Sequence, residues 1–149
     1  MDRWITLTPD HLKTAGHGAI IDRARTAAVG GIDPVTQAIV KVTARVRRAV
    51  APGNVLDLDA AKIPGSLEDA AVLLCIATLA GRIPIPLTSD VADQVRDARK
   101  ELQAISDNKT KVELPDTPET EASVAETGMK ITAVNVPTRL TGRERTGGL

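Results

Sequence analysis

The sequence predicts an all-α fold. We expect a small bundle of about four to five helices with a long extended C-terminal arm that has room for one short β-strand. Three observations carry that expectation. Apolar residues recur at helical spacing in three separate segments. Helix-starting and helix-stopping residues bracket those segments. After Asn108 the pattern gives way to Pro, Thr and acidic residues.

Thr8-Pro9-Asp10 opens the first helix. Thr8 can cap it, Pro9 suits the first helical position, and Asp10 favours the positive end of the helix dipole. The helix is expected to end near Gly16 and Gly18. A second, "AIIDRARTAA", runs to the stop at Gly30-Gly31. Asp33-Pro34 restarts the chain. From Pro34 to about Val50, the residues Val35, Ile39, Val42, Val46 and Val50 repeat at four, three, four and four. That is one helical face, and Lys41, Arg45 and Arg48 lie together on another.

Residues 52–65 read as a loop with two proline-containing turns. Ser66 with Asp69 resembles a capping box for the next helix. That helix, with Leu67, Ala70, Ala71, Leu73, Leu74, Cys75, Ile76 and Leu79, is apolar nearly all round. It is predicted to be central. "GRIPIP" ends it, because two prolines two apart forbid a helix. Thr88 caps the last helix. There Val91, Val95, Ala98, Leu102 and Ile105 form a narrow stripe amid charged residues.

Residues 113–128, "ELPDTPETEASVAETG", hold five acids and no base, the composition of an extended linker. "KITAVNV" (130–136) is β-branched and alternating, a candidate strand that needs a foreign edge. The expected organisation is therefore a helical head over 1–108, which the family resemblance given below makes an adaptor domain, an acidic linker over 109–129 and a docking arm over 130–149. In the arm, Ile131, Val134, Val136 and Leu149 offer apolar contacts. Arg139, Arg143 and Arg145 offer charge-assisted bonds to acidic groups on a partner.

Composition narrows the function. Nineteen basic and nineteen acidic side chains cancel, so net charge points to neither nucleic acid nor membrane. One Trp and no Phe or Tyr leave a core of close-packed aliphatic residues. We expect modest stability, raised by self-association. A lone cysteine, Cys75, and the absence of a signal-like N-terminal run predict a soluble intracellular protein.

Candidate chemistry is sparse. His11 and His17, six apart with Gly16 between them, do not share a helical face and predict no metal site. Cys75, in the most apolar helix, reads as a core residue. Asp57, Asp59 and Lys62 in "LDLDAAK" could serve a metal-dependent enzyme, but they read better as a solvated loop. No phosphate-binding loop is present. Lys41, Arg45, Arg47 and Arg48 form the best basic patch, a solvated face or a charged contact surface. We expect no enzymatic activity, no cofactor and no metal.

The order of features resembles one family. "WITLTPDHL" is followed by short helices, then "IPGSLEDAAVLLCIATLAGRIP", then "TSDVADQVRDARKEL", and the chain closes on "TRLTGRERTGGL". This resembles the head–tail connector (adaptor) proteins of Mu-like tailed phages. The resemblance covers nearly the whole chain and rests on order and pattern. It implies a virion protein of the neck, assembled in the host cytoplasm as a ring of about twelve copies below the portal. Such a ring would extend the DNA channel, touch passing DNA weakly and receive a stopper or tail-terminator protein. The alternatives are a DNA-binding helical packaging factor or regulator using Lys41, Arg45 and Arg48, or a small enzyme using the Asp57–Lys62 loop.

Overall fold

The computed structural model describes residues 3–83 and 85–119. The order of elements is β1 (Trp4–Thr6), α1 (Pro9–Leu12), a π-helical segment (Lys13–His17), α2 (Gly18–Thr26), α3 (Pro34–Val50), β2 (Lys62–Pro64), a 3-10 turn (Gly65–Leu67), α4 (Glu68–Ala80) and α5 (Ser89–Ser106). The fold is mainly helical, as the periodicity predicts.

Local chemistry explains most boundaries. At α1 the capping group is a histidine: His11 Nδ1 accepts the Thr8 N–H at 3.1 Å. Gly16 adopts φ +85°, which breaks the helical path between α1 and α2. Asp33 caps α3 by accepting the Val35 N–H at 3.3 Å, with Pro34 at the first helical position. Its carboxylate also pairs with Arg25 at 3.2 Å, tying α2 to α3 across the turn. Thr88 caps α5 through the Val91 N–H at 3.5 Å.

The capping box expected at Ser66 and Asp69 is not formed. The Ser66 N–H and hydroxyl both donate to Glu113, at 2.7 and 2.5 Å, and α4 begins at Glu68 behind the 3-10 turn. The carboxylate from far along the chain outcompetes the local one.

α4 occupies the centre. Ala71, Cys75, Ile76 and Leu79 are wholly enclosed, and Leu74 is 2% exposed. α3 and α5 pack against it with their predicted stripes. Val35, Ile39, Val42, Val46 and Val50 are buried on α3, and Val95, Ala98, Leu102 and Ile105 on α5. Each buried Val, Leu or Ile among them contributes roughly 1.5–3 kcal/mol by leaving water.

Two strands lie within stretches that read as a bare N-terminus and a loop. β1 and β2 pair antiparallel, with Trp4 opposite Pro64, Ile5 opposite Ile63 and Thr6 opposite Lys62. The ladder continues as the Gly65 N–H donates to the Arg3 carbonyl at 2.8 Å. A side chain at Gly65 would meet that carbonyl oxygen at 3.0 Å, so glycine lets the two backbones approach. Among the described residues, no helix is long and apolar enough to cross a membrane.

Candidate docking surface

The first part of the expected acidic linker does not stand away from the helical head. Residues 111–119 lie against the head as a strap. Trp4 is fully buried and its indole N–H donates to the Glu113 carbonyl at 3.0 Å. The Arg3 N–H donates to Asp116 Oδ2 at 3.0 Å. Pro115 is buried. The stretch is acidic and extended, as its composition predicts. It is nevertheless held in place, because its carboxylates meet donors that the head would otherwise leave unpaired.

The strap is buckled at Asp57. This residue reads from sequence as part of a solvated loop, and the structure corrects that reading: Asp57 is fully buried. Its Oδ1 accepts the Asp59 N–H at 2.9 Å and the Thr117 hydroxyl at 2.8 Å, and its Oδ2 accepts the Thr117 N–H at 3.2 Å. The Leu58 N–H donates to the Thr117 carbonyl, and the Glu119 N–H to the Leu56 carbonyl, both at 2.8 Å. Burial alone would raise the Asp57 pKa. The donors from Asp59 and Thr117, with the charge of Lys62, outweigh it and leave the carboxyl below its ordinary value. Glu113 behaves alike: desolvation pushes it up, and the Ser66 donors bring it below the usual range. Asp59 is exposed and turned to the Ala61 N–H at 2.9 Å, so the acids of "LDLD" do not converge.

Arg47 is also misread by sequence. It is not a member of the exposed basic patch. Its guanidinium donates to the carbonyls of Asp57, Asp59 and Lys62 at 2.8, 2.9 and 2.9 Å. It lies 5.8 Å from the centre of the Trp4 ring and pairs with Glu119 at 3.6 Å. Arg47 thus gathers α3, the 57–62 loop, β2 and the end of the strap, as a planar five-donor group can.

Lys41, Arg45 and Arg48 are exposed along the outer side of α3. Among the described residues none of them enters an ion pair. The predicted arm contacts Ile131, Val134, Val136, Arg139, Arg143, Arg145 and Leu149 lie outside the described residues.

Other candidates stay apart. His11 caps α1 and its Nε2 stands 3.9 Å from Glu68. His17 lines an open groove of about 470 Å³ with Asp69, Asp97 and Glu101. Among the described residues no three potential metal ligands converge. Cys75 is enclosed, and burial pushes its thiol up to about 12.

The strap and the Arg47 hub were not legible in advance. The strap joins residues about sixty to more than one hundred positions apart, and Arg47 bonds backbone carbonyls ten to fifteen positions onward, neither of which a local pattern encodes. No protein-family model, curated protein or solved structure matches this chain.

Proposed function

We propose that this chain is a structural virion protein, a head–tail connector subunit that forms a ring beneath the portal of a tailed phage. The ring extends the DNA channel and joins the capsid to the tail through a stopper or tail-terminator protein. The observation that carries this reading is the strap. It fixes Glu119, the residue that precedes 120–149, beside Arg47. A segment built to reach another subunit needs a rigid base, and Asp57, Arg47 and Trp4 supply one. The order of sequence features that resembles Mu-like connectors supports the same conclusion.

A second reading, a DNA-binding packaging factor or regulator, is supported by the exposed row of Lys41, Arg45 and Arg48. One experiment separates the two. Portal-bearing capsids are incubated with the full chain and with a chain lacking residues 130–149, and the bound protein is measured by co-sedimentation. The connector reading expects the full chain to bind and the shortened chain to stay free. A full chain that ignores portal capsids but binds DNA tightly and selectively would transfer the assignment to the regulator reading.

A further inference from the structure

The turn between α2 and α3 and the first half of α3 leave three large apolar side chains outside the core. Val29 is fully exposed, Ile32 is 64% exposed and Val40 is 63% exposed. They border two adjoining depressions of about 230 and 280 Å³ that share Gln37. Leu79 and Ile83 line the one of about 230 Å³. The rim is braced by the Arg25–Asp33 pair at 3.2 Å and by a hydrogen bond from Arg82 to Gln37 at 3.0 Å. Beyond Val40 the same helix presents Lys41, Arg45 and Arg48. The face is therefore apolar at the N-terminal end of α3 and basic further along.

We infer that this face of α3 receives residues 120–136 of a second copy of this chain. Glu121 and Glu126 would lie against the basic row, and Ile131, Val134 and Val136 in the apolar depressions. The segment and the face are complementary: acids precede β-branched residues in one, and a cationic row adjoins apolar hollows in the other.

The placement of the two halves fits a repeating contact. The segment follows Glu119, which is paired with Arg47. The depressions lie around Gln37, ten positions earlier on α3, about 15 Å away along the axis. Donor and receiver thus sit toward opposite ends of one helix. A head-to-tail contact of that kind repeats from copy to copy and closes into a ring when the rotation allows. Residues 120–129 can span up to about 33–36 Å, enough to pass from one head to the next. The inference rests on the ring-forming reading above but requires no portal.

The test uses two full-length variants, one with Val40→Cys and one with Val134→Cys. The native Cys75 is enclosed, with its thiol pushed up to about 12, and stays silent under mild oxidation. The two variants are mixed at high concentration, oxidised and run on a denaturing gel without reductant. The inference predicts disulfide-linked pairs containing one chain of each kind. Adding Ile32→Asp to the Val40→Cys chain should cut the yield about tenfold, since a charge then faces the apolar segment. Absence of the mixed pair overturns the inference. A chain carrying both substitutions that closes only on itself also overturns it, by assigning the face to the chain's own segment. Mixed pairs formed by a protein that ignores portal capsids would leave this contact standing and remove the connector reading.

Discussion

Asp57 and Thr117, sixty positions apart, are joined through both carboxylate oxygens, one taking the threonine hydroxyl at 2.8 Å and the other its N–H at 3.2 Å. The carboxylate is fully buried, so these donors replace the water it gave up on folding. The pair turns a stretch with the composition of a linker into part of the head. It also sets where the remaining chain begins.

Thr117→Val should therefore loosen the strap. It keeps the shape of the side chain and removes one donor to a buried carboxylate, at a cost of about 1–3 kcal/mol. Amide exchange over residues 112–119 should quicken while α4 stays protected. Unchanged exchange in the strap would show that the buckle contributes nothing.

Acid should release the same strap. Asp57 and Glu113 both ionise below their ordinary values in the folded protein. A depressed carboxyl contributes stability that is complete above its unfolded pKa, about 4, and is lost as the pH falls through the lower folded value. Stability should be flat with respect to these two groups from about pH 5 upward and should decline below about pH 4. The single tryptophan reports the event, since Trp4 is buried and bonded to Glu113. Its emission should shift to the red in that acidic window. A transition centred well above pH 5 would show that the event does not depend on these two carboxyls.

Much of the helical head was legible in the sequence. The five-residue stripe of α3, the stripe of α5 and the all-apolar α4 are each one continuous segment, and helical periodicity reports such segments directly. β1 and β2 were not legible, because three residues carry no periodicity and their pairing joins Trp4 to Pro64. Charge alone groups Arg47 with Lys41, Arg45 and Arg48. Its partners are carbonyls ten to fifteen residues onward, which no charge pattern shows. Ser66 had a plausible local partner in Asp69 and took a distant one in Glu113.

The core makes a separate prediction. Leu74 is 2% exposed on the central helix, so Leu74→Asp would place a charge among aliphatic side chains. The variant should fail to fold, read as loss of the helical circular dichroism signal. A soluble variant with the wild-type melting temperature would contradict the central position of α4.

Binding to DNA should be weak and non-specific. Lys41, Arg45 and Arg48 can neutralise about three phosphates, so the logarithm of affinity should fall with the logarithm of salt at a slope of about −3. Binding should vanish by moderate salt, and Arg45→Ala with Arg48→Ala should flatten the slope. A tight, sequence-selective complex would instead favour a regulator.

We propose that the strapped head is a base and that residues 130–149 join it to the neck of a virion. Ordering a backbone costs about 1–2 kcal/mol per residue, so this segment needs a partner to supply its contacts. The most direct measurement is the mass of the complex formed with a portal ring by the full chain and by the chain lacking residues 130–149. The full chain should add many copies to the ring. The shortened chain should remain folded, with Trp4 buried, and add none. Equal loading by both chains, or none by the full chain, would rule out that role for residues 130–149.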